Sequence, residues 1–236
     1  MLGDQQKKIA DSIVKIFCFS NFWIYLSAFT LPIFFPLYAL TFDVPGSIIG
    51  VVLGTAAFVT ILTIPLVNSC ITRIGIEESI LYSSIIFGLS NCVLAFSYFC
   101  PDKTSFLWVV FLSQIMFGFS AAALTVGESA LLLRYSRKED REKNLGLFRA
   151  ASGLGTLVAP LSGAALFVVG GYMSIFLFNG IGQFLISPFV YYKMKSSREE
   201  FLEIKTEEPE VKEFQLNNSF EAPALPSKKI KSFELL

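Results

Sequence analysis

The sequence predicts an all-α membrane protein with six transmembrane helices, and three observations predict it. Hydrophobic residues make up 53% of the 236 residues and charged residues only 16%, where a soluble domain carries about a quarter. Charge is absent from long runs of the chain. The Lys and Arg residues that remain gather in alternate connections between those runs.

Ile16 to Phe42 carries no charge, and neither does Val44 to Thr72 or Ser79 to Pro101. Thr104 to Gly127 is also bare, and Glu128 alone interrupts the apolar run that continues to Leu133. A bilayer core of about 30 Å takes about 20 helical residues, so each of these four runs holds one span. The longest run, Ala150 to Tyr192, is too long for one span, and Gly170 and Gly171 offer a turn within it. The spans are expected at about 16–40, 46–68, 79–100, 105–133, 147–169 and 172–194. None keeps the polar face of a soluble core helix. The first is too long for a secretory signal peptide, and no small-residue cleavage site follows it.

Orientation follows from the basic residues. Lys7, Lys8 and Lys15 precede the first span, and Arg73 lies between the second and third. Arg134, Arg137, Lys138, Arg141 and Lys143 lie between the fourth and fifth, with Arg149 just inside the fifth. Lys193, Lys195 and Arg198 follow the sixth, whereas the opposite connections hold only Lys103. Cytoplasmic loops are enriched in Lys and Arg, so both termini are expected in the cytosol. The chain divides into a cytosolic N-terminal tail (1–15), a six-span bundle (16–195) and a segment of clustered charge (196–236). That last segment reads as a disordered cytosolic tail or central loop, in which the Asn217-Asn218-Ser219 acceptor pattern would stay unglycosylated.

Composition also excludes functions. The net charge is zero and there are no His residues, which argues against a nucleic-acid partner and against zinc or haem. Cys18, Cys70, Cys92 and Cys100 have no metal-ligand or redox spacing and read as small apolar residues. The chain has no H-E-x-x-H, no G-x-S-x-G and no phosphate-binding glycine loop, and so reads as no enzyme. No cofactor is implied.

Two stretches carry a family resemblance. Gly155, Ala159, Pro160, Gly163 and Ala164 fall on the spacing G-x-x-x-G-P-x-x-G-G, with Ala at two Gly positions. This resembles the fifth-helix motif of major facilitator superfamily antiporters. Small residues let helices approach closely, and the Pro removes a backbone hydrogen bond where a helix must bend. Asn68, Thr72, Arg73, Gly75, Ile76 and Glu77 resemble a degraded form of the superfamily's cytosolic G-x-x-x-D-R-x-G-R-R motif, in which Arg73 and Gly75 match. With Leu31, Pro32 and Pro36 closing the first span, Ser47 and Gly50 opening the second, and Gly170-Gly171-Tyr172 after the fifth, the chain is similar to the N-terminal half of vesicular amine and polyamine transporters. The resemblance covers residues 20 to 195 and implies half of a twelve-helix fold that exchanges small organic cations by alternating access.

Glu128 is the one acid inside a span, about six residues or about 9 Å from Arg134. An ionisable residue at membrane depth marks a functional position. The resemblance implies a latch between Glu128 and Arg73, with a solvated carboxylate or a substrate or proton site as the other readings. Tyr25, Thr30, Gln114 and Asn179 are candidates to line a cavity, Tyr25 through its ring face; an interhelical hydrogen bond is the plainer role for each. Gln114 stands where many such antiporters carry an Arg. Trp23 and Trp108 read as interfacial anchors.

The expected partners are the bilayer, a small-molecule solute and either a second six-helix half or a second copy of the chain. Three possibilities stay open: part of a longer transporter, a half that works as a homodimer, and a transport-inactive scaffold that keeps the fold.

Overall fold

In a computed structural model, the chain is described over residues 2–136 and 139–207. Arg137, Lys138 and the segment 208–236, with its acceptor pattern, lie outside the described residues. There is no strand among the described residues, and the architecture is all-α.

Among the described residues, five α-helices follow in chain order: α1 (Leu2–Ala39), α2 (Gly46–Ile74), α3 (Ile76–Phe96), α4 (Lys103–Tyr135) and α5 (Arg141–Glu207). Each contains a stretch long and apolar enough to cross a membrane. The helix α5 is 67 residues long, and its backbone leaves helical values at Gly170 and at Gly171 (φ 69°, ψ −160°). That region of backbone space is open essentially to glycine alone. The hydroxyl of Ser174 lies within hydrogen-bond distance of the carbonyls of Leu166 (2.6 Å) and Gly171 (2.8 Å), and so replaces bonding that the break removes. The arms on either side are residues 141–169 and 172–207.

Two helices run further than the charge pattern suggests. The helix α1 begins at Leu2, within the stretch expected as a tail, and α5 continues to Glu207, past residue 196. No proline or glycine interrupts residues 4–15 or 189–207, and both stretches are rich in helix formers. Charge marks where a span leaves lipid; it does not mark where a helix stops.

Packing is uneven. The helix α1 lies along α5, α3 is wedged between α4 and α5, and α2 rests on α4. The apolar core of α2 is only 17% buried, that of α3 56%. Accordingly α2 turns Val51, Phe58, Ile61 and Leu66 outward, whereas α3 buries Ser83, Ser84, Ser90 and Asn91. Outward-facing Trp108, Leu157, Leu161 and Leu185 continue the apolar surface around the bundle. A surface this apolar is stable against lipid and not against water. The protein is an integral, multi-pass membrane protein.

Two clusters fill the interior. One surrounds Phe17, Phe87, Leu131 and Phe148, at the end that carries Arg134 and Arg198. The other surrounds Phe35, Phe106, Tyr172 and Phe176 at the opposite end. There Tyr38 stacks on Tyr172 with ring centroids 4.1 Å apart.

Candidate functional site

Glu128 sits in the second half of α4 with only 2% of its surface exposed. Its carboxylate accepts a hydrogen bond from Ser20 Oγ of α1 at 3.0 Å. One wall of a cavity of about 180 Å³ is formed by Glu128, Thr125 and Ser129 of α4. Asn21, Ile24 and Tyr25 of α1 form another, Phe87 comes from α3, and Phe148 and Arg149 from α5. The carboxylate thus lies at the side of a small chamber with aromatic walls.

The wall is fixed by close helix contacts. Asn21 Nδ2 donates to the Phe148 carbonyl at 2.8 Å and also bonds Ser152 Oγ, which pins α1 to the first arm of α5. One turn further on, a Cβ at Gly155 would collide with the Phe22 carbonyl of α1, and one at Gly163 would collide with the Phe34 ring. Both positions therefore need glycine for space. Pro160 is exposed and sits in helical backbone; the break in α5 comes ten residues later.

Tyr25 and Glu128 are brought together on the cavity wall. Thr30, Gln114 and Asn179 do not line it. Asn179 Nδ2 donates to Thr30 Oγ1 at 3.0 Å, which joins α1 to the second arm of α5. Gln114 is 1% exposed, and its Oε1 has no hydrogen-bond partner among the described residues. Arg73 is exposed in the last turn of α2, and Gly75 (φ 105°) forms the turn into α3. No ion pair joins Arg73 to Glu128 in this conformation: the carboxylate points toward α1 and Ser20 instead. Trp23 is not an interfacial anchor, since its ring packs on Gly182 and lies 5.5 Å from Phe178, in the body of the bundle. Trp108 is 72% exposed.

The sequence reading missed the pairing of Glu77, which is buried in the first turn of α3. Its Oε2 accepts from Arg198 Nη1 at 3.1 Å. The signal for it was present but unspecific: a carboxylate at the start of a helix, where the helix dipole favours it, and one Arg after the last span.

Comparison with known proteins fits this architecture. The sequence pattern of the Major Facilitator Superfamily matches residues 17–233. The chain belongs to that superfamily. It is 28% identical over 124 residues to a probable vesicular acetylcholine transporter-B of Danio rerio, covering 52% of this chain and 24% of the relative. It is 29% identical over 124 residues to a probable vesicular acetylcholine transporter-A of the same organism, covering 52% and 23%. The matched stretch therefore spans about a quarter of the length of each relative. Both of those relatives are named as transporters.

Proposed function

We propose that the chain carries a small organic solute with a cationic group across the membrane by alternating access. The observation that carries this reading is the placement of Glu128, a buried carboxylate on the wall of a chamber that also presents Tyr25. A carboxylate kept from bulk water beside an aromatic face is suited to an ammonium group. The likeness to transporters named for acetylcholine, itself a cation, supports the same solute class. In this reading the solute displaces Ser20 as the partner of Glu128.

The other candidate residues take mechanical roles. Gly155 and Gly163 let the first arm of α5 lie against α1, with Pro160 between them. Thr30 and Asn179 hold α1 to the second arm, and Gln114 keeps a polar group inside α4. Arg73 and Gly75 shape the turn between α2 and α3, and Arg73 pairs with Glu128 only in another conformation. Both termini face the cytosol, on the side with the basic connections. A second six-helix unit, as a following half or another copy, closes the pathway.

Uptake of labelled monoamines and quaternary ammonium solutes into vesicles reconstituted with the protein, with and without an imposed pH gradient, tests the reading. Saturable flux that Glu128→Gln lowers by about tenfold or more is the expected result. Absence of flux from vesicles holding well-folded protein would replace transport by the scaffold role.

A further inference from the structure

The cavity that holds Glu128 is bordered by a second charge of opposite sign. Arg149 lines it from the first arm of α5. Among the described residues, no ion pair or hydrogen bond takes up the Arg149 guanidinium. Glu128 and Arg149 therefore line one cavity with no salt bridge between them, one buried and one on the exposed side of its helix.

Two unneutralised poles are a poor match for a simple cation. In a chamber of low dielectric, a monocation attracted to Glu128 is repelled by Arg149, and the repulsion falls off only as the reciprocal of distance. A solute with a carboxylate as well as an ammonium satisfies both ends. The planar guanidinium fork is the protein group best shaped to take a carboxylate in two parallel hydrogen bonds. Asn21, Thr125 and Ser129, which also line it, supply neutral hydrogen-bonding groups. The volume, about 180 Å³, equals about six water molecules at their share of liquid. That is room for a solute of amino-acid size and less than a drug-sized ligand needs.

We propose that the cavity takes a small zwitterion, with its ammonium at Glu128 and its carboxylate at Arg149. This rests on the transport reading above and narrows its solute class. Charge separation within the solute then sets specificity, because a mismatch in length leaves one pole without a partner.

The test uses the full chain purified in detergent. Thermal unfolding shifts and equilibrium binding are measured with unbranched ω-amino acids of two to six carbons, and with the amine and the carboxylic acid matched to each in length. At least one amino acid should bind about tenfold or more tightly than its matched amine. Arg149→Gln should remove that preference and leave amine binding intact or improved, while Arg149→Lys restores part of it. Glu128→Gln should weaken both classes. Variants are compared only where their unliganded melting temperature matches the parent, and Arg149→Lys serves as the second probe if Arg149→Gln misfolds. Amines that bind as well as every amino acid, or a preference untouched by Arg149→Gln, would overturn the zwitterion and leave the transport reading standing. Lack of binding by all three classes, together with no flux in reconstituted vesicles, would remove both.

Discussion

Arg198 Nη1 lies 3.1 Å from Glu77 Oε2, which fastens the second arm of α5 to the first turn of α3. The two residues are 121 positions apart in sequence. Arg198 is about half exposed and Glu77 only 7% exposed, so the partners are unequal. Removing the Arg leaves a nearly buried carboxylate without its cation, held by a long 3.5 Å hydrogen bond from the Tyr135 hydroxyl, whereas removing both charges leaves no buried charge uncompensated. Arg198→Ala should cost about 1 kcal/mol, after discounting for the exposed guanidinium. The double variant Glu77→Gln with Arg198→Ala should recover most of that loss. Thermal unfolding of the four combinations in detergent measures it, and equal stability for the single and double variants would refute the pairing.

Two glycines two residues apart should behave oppositely. A Cβ at Gly155 meets the Phe22 backbone carbonyl, which cannot step aside, whereas a Cβ at Gly153 meets nothing within 4 Å. Gly155→Ala should destabilise by about 1–3 kcal/mol through overpacking. Gly153→Ala should be neutral or stabilising by up to about 1 kcal/mol, through helix propensity. Melting temperatures of the two variants, side by side, decide the matter.

The hydrogen bond from Asn179 to Thr30 is buried between α1 and α5. Such bonds in membrane bundles contribute about 0.6 kcal/mol on average and up to about 1.7 kcal/mol. Asn179→Leu should lower stability within that range. Thr30→Val added to it should cost little more, because the partner is already lost. Additive losses in the double-variant cycle would show that the two side chains act separately.

Asp102 caps the start of α4 by accepting from the backbone N–H of Ser105 at 2.9 Å and from its hydroxyl at 2.8 Å. The backbone bond first, and then the hydroxyl, hold its carboxyl below the ordinary range. A lowered value in the folded state means that the contribution is present above about pH 4 and is lost as pH falls through the folded value. Wild type should therefore exceed Asp102→Ala in melting temperature at neutral pH, and the gap should close in acid. A gap of constant size from pH 7 down to pH 3 would rule out the carboxylate as its source.

Much of this architecture was legible because lipid imposes a simple demand. A run without charge must be a span, and two adjacent glycines in a run too long for one span must mark its break, as Gly170 and Gly171 do. The buried acid in α4 was legible for the same reason. Its neighbours were not, since Ser20 and Arg149 belong to other helices and nothing local announces which faces will meet. The Arg73–Glu128 pairing came from resemblance and fails in this conformation, whereas the Arg198–Glu77 pair had no pattern to suggest it. Thr30 and Asn179 look like cavity groups in a list of polar residues, yet the Asn179 amide donates to the Thr30 hydroxyl, which donates in turn to the Ser27 carbonyl.

The contrast between α2 and α3 bears on how the chain enters the bilayer during synthesis. The helix α2 has most of its apolar surface uncovered by the rest of the bundle, so it can leave the translocation channel alone and remain where it lands. The helix α3 carries Ser83, Ser84, Ser90 and Asn91, and packs chiefly against α4 and α5. Insertion favours leucine-like residues and penalises polar ones, so α3 gains its stable place only when those later helices arrive. A nascent chain halted after α3 would hold a firmly seated second helix and an unsettled third, and the exposed hydroxyls of that third helix are what a membrane chaperone would have to shield.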